Sequence, residues 1–350
     1  MAIKTYSTSK DGNTFLSPHF QVKEFRPYWN GKPDGDVVKI DEELIERLEL
    51  LSDCVNNKAI HVSDGYRTEA FDKYLTGKAG QHTTGRAADI YVNGISSETL
   101  AVLAEACGFK GVGIINSRAI HVDTRISDKV VCFRENGTKA GTETVTNSFL
   151  RQANWLHIVE IPQDKISSIE YVETRESVKT TAKKFPEVDY IINGGFWYPY
   201  SSSIFTYISN GIVRSDDTKH KYGLSVIGHK ELSYGVKIAG EENFISGYPV
   251  LIKNGEIADN YKETPEIDGW KARMALGHTH LCTSVVICAV DASVGATLRG
   301  MRQIMSYLDC YSAINLDGGG STSLYSKGKC LNKQTDQRSV NNVIMIRLLK

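Results

Sequence analysis

The chain has 350 residues, and its 41 lysines and arginines balance 41 aspartates and glutamates, so the formal net charge at pH 7 is +0. This balance gives no basic face for nucleic acid or for an anionic membrane surface, and we expect neither as a partner. The length is enough to bury two hydrophobic cores.

The cysteines and the N-terminus bear on the cellular compartment. The seven cysteines are an odd number without CxxC spacing, which argues against a disulfide framework or a structural zinc knuckle. We expect most of them to be small buried hydrophobic residues. The opening MAIKTYSTSKDGNTF has no apolar signal-peptide core, and no later apolar run is long enough to span a bilayer. We therefore expect no transmembrane segment and synthesis in the cytoplasm without a signal peptide.

The first long element predicted is a helix capped by Asp41. The apolar residues that follow recur at helical spacing, at Leu44, Ile45, Leu48, Leu51 and Val55. A short strand is expected at 59–62, and a second amphipathic helix opens at Ser97 and ends before Gly108. The stretch 127–154 is rich in Thr, Gly and charge, so it is predicted to be a linker, with one hairpin at most, between domains 1–126 and 155–350.

Candidate metal ligands occur in QHTTGRAADI, residues 81–90, where a histidine and an aspartate flank a glycine. Asp89 stands at the start of a predicted strand and His82 in the loop before it, so their side chains can converge. His121, in a second β-like run, supplies a third ligand. Two histidines and one aspartate form a zinc set that leaves the fourth tetrahedral position for water. On spacing alone, ordinary loop and surface roles for these residues stay open.

Four motifs surround these ligands: SDGYRT (63–68), QHTTGRAADI, GFKGVGI (108–114) and IHVDTR (120–125). Their order and spacing resemble the zinc D,D-peptidases of the M15 type, in particular the short branch of D-Ala-D-Ala carboxypeptidases and murein endopeptidases. The resemblance covers about residues 13–126. It implies Zn2+ at His82, Asp89 and His121, an activated water molecule, and hydrolysis of a peptide bond next to a D-amino acid.

The resemblance also implies roles for two further residues. Arg67 is expected to face the substrate, where it pairs with a carboxylate or stabilises the oxyanion. Several M15 branches carry a general-base carboxylate three residues before the last zinc histidine, but Arg118 stands there in this chain. Asp123 is the nearest acid and shares a strand face with His121. Two roles stay open for it, general base or orientation of the His121 ring.

The second half centres on AINLDGGGSTSL, residues 313–324. A strand predicted at 312–316 leads into a loop that consists of Asp317, Gly318, Gly319, Gly320, Ser321 and Thr322. Backbone without side chains can approach an anionic ligand closely and direct N–H groups at it. A glycine-rich turn is also common as a purely structural feature, so the loop alone is a weak signal.

Five other stretches accompany this loop: VDYIINGGFW (188–197), GYPVLIKNGE (247–256), RMALG (273–277), GATLRGMRQIM (295–305) and RSVNNVIMI (338–346). Their order resembles the phosphodiester glycosidase family, which includes the lysosomal uncovering enzyme that removes N-acetylglucosamine from a sugar phosphodiester. The resemblance spans about residues 155–349. It implies a sugar-1-phosphodiester substrate, which needs a phosphate clamp and at least one carboxyl group.

A sugar-1-phosphodiester substrate suggests roles for the residues of this loop and for an arginine outside it. Asp317, at the strand end, is the candidate acid, base or nucleophile, with an Asx turn as the structural alternative. Arg273 is the candidate bidentate phosphate contact. The amides of 318–321 and the hydroxyls of Ser321 and Thr322 are expected beside it.

Three polar residues outside or before the loop complete the predicted site. Asn193 and Asn315 are expected to hold sugar or phosphate oxygens, although Asn193 precedes two glycines and has a turn role as its alternative. Arg338 is either a second anion contact or a strand-end charge.

The rest of the second half mixes helix and sheet. Thr297 is predicted to cap a helix with Leu298, Met301, Met305 and Leu308 on its inner face. The nearly all-apolar runs 281–290 and 340–349 are expected to be central strands, buried on both faces. The predicted fold class is therefore α+β in two domains, a small zinc D,D-peptidase-like domain followed by a larger mixed α/β-sheet phosphodiester glycosidase-like domain.

Together the halves predict a bifunctional bacterial cell-wall hydrolase of the phage or prophage endolysin type. Its substrates would be peptidoglycan and a phosphodiester-linked wall glycopolymer, reached after lysis, through a holin or in a virion. Two alternatives stay open. In the first alternative, the first domain is a non-catalytic zinc- or wall-binding module. In the second, the protein is a cytoplasmic sugar-phosphodiester hydrolase.

Overall fold

The computed structural model of the chain describes residues 2–135, 143–197, 205–217, 222–237, 240, 242–258 and 267–350. The fold separates into two compact units, Met1–Ala153 and Asn154–Lys350. Both units combine helices with sheets, so the predicted two-domain α+β architecture is confirmed. Among the described residues, no helix has the length and apolar character needed to cross a bilayer.

The first unit is built around one six-stranded sheet. The strands of the whole unit are β1 (Ile3–Ser7), β2 (Tyr28–Trp29), β3 (Lys32–Pro33), β4 (Val37–Asp41), β5 (Ile60–Asp64), β6 (Ala87–Val92), β7 (Gly111–Ile114), β8 (Ile120–Asp123), β9 (Val131–Glu135) and β10 (Glu143–Thr146). Its helices are α1 (Thr8–Asp11), α2 (Glu42–Cys54), α3 (Glu69–Thr76), α4 (Ser97–Ala106) and α5 (Phe149–Gln152), with 3-10 turns at Val22–Phe25 and Gln81–Thr84. The sheet runs in the order β10, β9, β7, β8, β6, β5, while β1 pairs with β4 and β2 with β3.

The two long helices of this unit lie where the apolar spacing predicts them. Asp41 caps α2, because its carboxylate accepts a hydrogen bond from the Glu43 amide at 3.2 Å. Asp41 is buried, and its other oxygen accepts from Thr124 Oγ1 at 2.8 Å, which ties the start of α2 to the end of β8. Ser96, one residue before the predicted start, caps α4, and Gly108 follows the helix with φ +85.

The segment 127–154 is not a linker, so this prediction was wrong. Strand β9 pairs in parallel with β7 inside the sheet, and β10 pairs with β9, although the connection 136–142 lies outside the described residues. Helix α5 packs against α4, where the Leu150 amide donates to the fully buried Glu105 carboxylate at 2.9 Å. Polar composition suggested exposure, but Cys132, Phe133 and Phe149 are buried and complete the core of the first unit.

The second unit is mostly sheet. Its strands are β11 (Leu156–Pro162), β12 (Ile166–Glu173), β13 (Tyr190–Asn193), β14 (Tyr207–Ser209), β15 (Ile212–Ser215), β16 (Tyr222–Ile227), β17 (Glu231–Val236), β18 (Phe244–Ser246), β19 (Val250–Lys253), β20 (Glu256–Ile257), β21 (Arg273–Thr279), β22 (Ser284–Val290), β23 (Cys310–Asn315), β24 (Leu324–Ser326), β25 (Lys329–Cys330) and β26 (Asn342–Leu348). Its helices are α6 (Val178–Lys184) and α7 (Leu298–Tyr307), with 3-10 turns at Gln163–Lys165, His280–Cys282 and Gly319–Ser321.

Three sheets share the main core of this unit. Their strand orders are β11, β22, β21, β23, β19, β20, then β12, β26, β13, β24, β25, and finally β15, β14, β18, β16, β17. The two strands predicted to be central, β22 and β26, each pair with a neighbouring strand on both sides. Ile344 and Ile346 of β26 face the main core, while Val343 and Met345 face a second core under α6. This double burial explains why the strand is apolar at successive positions.

Local signals also set the ends of α7 and β22. Thr297 caps α7, as predicted, because its hydroxyl accepts from the Gly300 amide at 2.9 Å. Strand β22 begins at Ser284 rather than at 281, because Leu281 and Cys282 have φ values of +55 and +51 in a 3-10 turn. All seven cysteines are free, and five are buried, as the sequence predicts for most of them.

Two glycines with left-handed backbone allow a matched stability test. A Cβ at Gly85 (φ +79) would overlap the backbone of Lys39 and Ile40, whereas a Cβ at Gly77 (φ +82) meets nothing within 4 Å. We expect Gly77→Ala to lower the free energy of unfolding by about 1–2 kcal/mol, the cost of a left-handed alanine. Gly85→Ala should lower it by about 2–5 kcal/mol, because steric overlap adds about 1–3 kcal/mol. Urea unfolding of the full chain measures both, and equal costs would contradict the predicted overlap.

Candidate active sites

The register of two antiparallel strands places the first candidate site. Asp89 of β6 lies directly opposite His121 of β8, so both side chains project from the same face of the sheet. His82 comes from the 3-10 turn at Gln81–Thr84, which Gly85 ends in a left-handed conformation. All three side chains are largely buried.

The three side chains present ligand atoms that form a nearly equilateral triangle. His82 Nε2 and His121 Nδ1 are 3.1 Å apart, and Asp89 Oδ1 lies 3.0 Å from His121 Nδ1 and 3.3 Å from His82 Nε2. Ligands bonded to a tetrahedral zinc ion at 2.0–2.1 Å stand about 3.3 Å apart. The triangle therefore has the size that such an ion needs, and these residues are the one group of metal-ligand type found in the described part of the chain.

In the neutral form of each imidazole, an outer hydrogen bond places the proton outside the triangle, so the inner nitrogen carries the lone pair. His82 Nδ1 lies 2.6 Å from the Gly65 carbonyl, which can only accept, so Nδ1 carries the proton and Nε2 has the lone pair. His121 Nε2 lies 3.0 Å from Asp123 Oδ2, so by the same reasoning its Nδ1 has the lone pair. This tautomer arrangement is the one that histidine ligands adopt. The residues present therefore fit a zinc ion.

The electrostatics of the site also favour a cation. Burial opposes charge on the His121 ring, but hydrogen bonds to Asp123 and Asp89 outweigh burial and raise its pKa to about 9. Burial likewise opposes charge on Asp89, yet His82 and His121 hold the pKa of that carboxyl well below its usual range. The field at the triangle therefore stabilises positive charge.

Arg67 does not face an open substrate cleft, so this part of the prediction was wrong. Its buried guanidinium donates to Asp64 at 2.7 Å, to Asp72 at 3.2 Å and to the outer oxygen of Asp89 at 2.7 Å. Burial raises the pKa of Asp64 although Arg67 opposes the shift. Arg67 is thus a positioning residue that holds the metal-facing carboxylate. Asp64 and Asp72 escaped the sequence analysis because their partner is fixed only by the folded chain.

Of the two roles left open for Asp123, the geometry supports orientation of His121. Asp123 contacts the His121 nitrogen that points away from the triangle, and Arg125 Nη2 donates to the same carboxylate at 2.6 Å. Burial opposes ionisation of Asp123, but Arg125 and His121 hold its pKa below the usual range. The Arg118 guanidinium, at the usual position of the base, stacks 3.9 Å over the Tyr91 ring.

The glycines of GFKGVGI make room for the groups behind His121. A Cβ on Gly111 would overlap the Asp123 carboxylate, and one on Gly113 would overlap the Phe133 ring. That ring lies 5.5 Å from the His121 ring, centroid to centroid. The two glycines of β7 thus form a trough in which His121 and its supporting side chains pack.

The second candidate site lies where β13, β23 and β24 meet. Asn193, fully buried, donates from Nδ2 to the Asp317 carbonyl at 2.7 Å and accepts at Oδ1 from the Ser323 amide at 3.0 Å. Its polar atoms thus hold both ends of the glycine loop, and the predicted contact with substrate oxygens was wrong. Asn342, which the sequence analysis missed, accepts at Oδ1 from the Gly195 amide at 2.8 Å.

The predicted phosphate clamp differs in two respects from the structure. Arg273 is buried and donates to the carbonyls of Ala296 (3.0 Å), Ile267 (2.8 Å) and Gly269 (2.8 Å), so it anchors backbone rather than presenting an open fork. The loop amides are also mostly occupied. Those of 318, 319, 321 and 322 donate respectively to Asp317 Oδ1 and to the carbonyls of 272, 318 and 319. The glycines permit the turn, but these amides do not form an anion cradle.

Asp317 has the titration behaviour expected of an acid–base group. Burial raises its pKa to about 6, although hydrogen bonds from Ser321, the Gly318 amide and Trp197 and the charge of Arg338 oppose the shift. Such a carboxyl changes protonation near neutral pH.

Two buried polar atoms of residues that flank Asp317 in sequence, Asn315 Oδ1 and Thr322 Oγ1, have no hydrogen-bond partner in the described chain. Asn315 Nδ2 is already used, since it donates to the Tyr248 carbonyl at 2.9 Å. Buried polar atoms normally have a hydrogen-bond partner, so these two are available for a polar ligand.

Arg338 is a cation in close contact with the glycine loop. Its guanidinium lies so close to Gly320 that a Cβ there would overlap it, and its charge acts on the Asp317 carboxyl. Asp336, another residue missed in the sequence, holds the fork through bonds of 3.0 Å to Nε and 2.7 Å to Nη2. The side chain of Arg338 remains 53% exposed, so a substrate can reach it.

Comparisons with known proteins relate each unit to a family of hydrolases. A sequence model of the family Peptidase M15 matches residues 18–123, and one of the family Phosphodiester glycosidase matches residues 186–347. The resemblance predicted for each half is confirmed, and both families consist of hydrolases that act on peptides or glycans.

Solved structures with similarity to this chain were also found. Zebrafish N-acetylglucosamine-1-phosphodiester alpha-N-acetylglucosaminidase, solved as a catalytic domain auto-inhibited by its pro-peptide, is 20% identical, with 55% of this chain and 83% of that chain covered and a TM-score of 0.45. A hypothetical protein from Synechocystis is 14% identical, with 76% and 74% covered and a TM-score of 0.46. A comparison with curated proteins gave no match.

Asp123→Asn separates orientation from proton transfer. We expect this variant to bind zinc about 10- to 100-fold more weakly, because it loses the charge that orients His121. Once the variant is saturated with zinc, its turnover of peptide should approach that of the wild type. Competition with a chromophoric chelator measures the affinity, and His61→Ala, whose ring stacks on Tyr91 outside the triangle, is the control. A zinc-saturated Asp123→Asn variant without turnover would identify Asp123 as the base.

Asp317→Asn should change how stability depends on pH. The folded pKa of about 6 lies above the ordinary value of 3.8, so the folded chain binds more protons than the unfolded chain between about pH 4 and pH 6. This group therefore contributes full stability below about pH 4 and loses it as the pH rises through 6. Urea unfolding from pH 4 to pH 7 should show the wild type losing stability relative to Asp317→Asn. Parallel curves would contradict the raised pKa.

Proposed function

We propose that the first unit is a zinc-dependent peptidase that cleaves the stem peptide of peptidoglycan. The observation that supports this function is the triangle of His82, Asp89 and His121, whose size, outer hydrogen bonds and field suit a zinc ion. Such an ion would polarise the scissile carbonyl and activate water for attack. The M15 match supports the peptide as substrate.

The residues around the triangle prepare it for that chemistry. Gly65 and Asp123 fix the tautomers of the two histidines, and Arg67 holds the outer oxygen of Asp89 so that the inner one faces the ligand position. These contacts lower the reorganisation that binding would otherwise require. The positive charge of buried Arg67 offsets the negative charges of the carboxylates beside it.

We propose that the second unit hydrolyses a sugar-1-phosphodiester. In this proposal Asp317 exchanges a proton with the glycosidic oxygen or with the attacking water. Asn315 Oδ1 and Thr322 Oγ1 accept hydrogen bonds from the substrate or, for the threonine, donate one. Arg338 takes the phosphate contact first assigned to Arg273, with Asp336 holding its fork. The support is the combination of a near-neutral carboxyl, buried unpaired polar atoms and an exposed arginine around one loop.

We further propose that both activities act on bacterial cell wall, on peptidoglycan and on a phosphodiester-linked wall glycopolymer. The pairing of a peptidase domain with a sugar-phosphodiester domain in one chain supports this, and a phage or prophage lysin that reaches the wall by lysis or in a virion is the corresponding setting. A first unit that binds zinc and wall without cleavage is the competing proposal, favoured by Arg118 at the usual position of the base.

Fragments released from purified walls test both activities at once. Mass spectrometry should detect peptide-bond cleavage by the full chain, with loss of that cleavage in His121→Ala and with a zinc chelator. Sugar or sugar-phosphate release should persist in His121→Ala and disappear in Asp317→Asn. Zinc binding without peptide products would favour the binding-module alternative, and peptide cleavage that survives both treatments would contradict the zinc site.

A further inference from the structure

An aromatic cluster lies on the surface of the first unit, where the β2–β3 hairpin meets α3. The Trp29 ring packs over two residues of α3, with centroid distances of 5.3 Å to Phe71 and 5.5 Å to Tyr74 and interplanar angles of 34° and 35°. Tyr74 is 73% exposed, and Trp29 and Phe71 are only partly buried. These three residues are called the aromatic platform below.

A dedicated hairpin presents the tryptophan of the platform. Strands β2 and β3 pair only with each other, and Asn30 and Gly31 form their turn with φ values of +50 and +75. An isolated two-stranded hairpin is marginally stable unless it packs on something. Here it is fastened to the start of α3 by a hydrogen bond from the Thr68 hydroxyl to Asp34. The fold thus holds Trp29 in place over α3 while leaving the rings accessible.

The same helix connects the platform to the metal-ligand triangle. Asp72 follows Phe71 in α3 and is buried, and the Arg67 guanidinium bridges Asp72 and Asp89. Asp72 also accepts from the Gly80 amide at 2.6 Å, at the start of the turn that carries His82. One face of α3 therefore supports the metal ligands, and another carries the exposed rings.

The chemistry around the platform favours a sugar over a purely apolar partner. Polar and charged side chains belong to the same hairpin and helix: the Asp34 carboxylate accepts from the Thr68 hydroxyl, and Glu69 pairs with Lys73 at 3.1 Å. Ionised carboxylates accept hydrogen bonds from hydroxyl groups, and aromatic faces pack against the C–H faces of a sugar ring. A lipid or an apolar peptide would gain nothing from these carboxylates and would have to desolvate them.

We propose that the aromatic platform binds a sugar of the glycan strand that carries the peptide substrate. The proposal rests on the proposed peptidase function for its biological substrate. The faces of α3 are separated by about 10 Å, the diameter of a helix with its side chains. An extended peptide of about three residues spans that distance, so a sugar attached to a short stem peptide can reach the platform while a peptide bond lies at the triangle.

Two substrates that differ only in the sugar test this inference. We expect Tyr74→Ala in the full chain to raise KM at least 10-fold for a stem peptide linked to its disaccharide and to leave kcat unchanged. KM for the same peptide without sugar should not change. Phe15→Ala, which removes another exposed aromatic ring of the first unit, is the matched control and should match the wild type on both substrates. An unchanged KM for the sugar-linked peptide, or an equal rise for both peptides, would overturn the proposal.

Direct binding distinguishes failure of the platform from failure of the peptidase. Calorimetric titration with tri-N-acetylchitotriose should show binding by the wild type and by Phe15→Ala, weakened at least 10-fold in Tyr74→Ala. If the wild type binds this sugar in a Tyr74-dependent manner but cleaves neither peptide, the platform stands and the proposed peptidase function fails. Binding that is absent, or unchanged in Tyr74→Ala, overturns the platform.

Discussion

The first unit depends on the register between β6 and β8. Because Asp89 lies opposite His121, the carboxylate and the imidazole share a sheet face and meet at 3.0 Å. A slip of one residue would turn one of these side chains to the opposite face. This arrangement requires glycine at 111 and 113 of β7, because a larger residue there would displace the Asp123 carboxylate or the Phe133 ring packed behind His121. The metal-ligand triangle is therefore a consequence of strand pairing as much as of ligand identity.

Buried charges around the triangle also link the fold of this unit to the geometry of its site. Three carboxylates and two arginines surround the triangle, and each of these carboxylates, like Asp89 within the triangle, has an arginine or histidine partner. Removing one partner from a buried pair commonly costs about 3–5 kcal/mol, because the other charge stays buried. The network thus couples the stability of the fold to the geometry of the site. This coupling explains why Arg67 is enclosed rather than presented to substrate.

The second unit arranges its candidate site differently. Most amides of its glycine loop donate within the loop or to the Ala272 carbonyl, and Asn193 holds both ends of the loop, so these amides are not available to a ligand. What remains for substrate is a small set of side-chain groups: the Asp317 carboxyl, two unpaired buried oxygens and the exposed guanidinium of Arg338. A rigid loop with a few converging polar groups suits a small polar substrate group such as a sugar phosphate.

Helix caps and buried strands were predictable from the sequence, but the hydrogen-bond partners of buried polar side chains were not. The caps of α2 and α7 and the double burial of β26 follow from residues near in sequence, and the candidate metal ligands could be selected because their motifs are specific. The roles of Arg67, Asn193 and Arg273 were wrong because a buried polar side chain is satisfied by whatever the fold brings to it, here carboxylates and carbonyls from distant segments. The segment 127–154 looked like a linker because only a few of its residues are apolar, yet those few complete a core.

The central claim is that two imidazoles and one carboxylate of the first unit hold a single zinc ion. Zinc K-edge X-ray absorption on the full chain, loaded with one equivalent of zinc, tests this claim most directly. We expect the zinc ion to have two nitrogen and two oxygen neighbours at about 2.0–2.1 Å, with one oxygen from Asp89 and one from solvent. A chain that retains no zinc, or a spectrum with sulfur neighbours at about 2.3 Å, would contradict it.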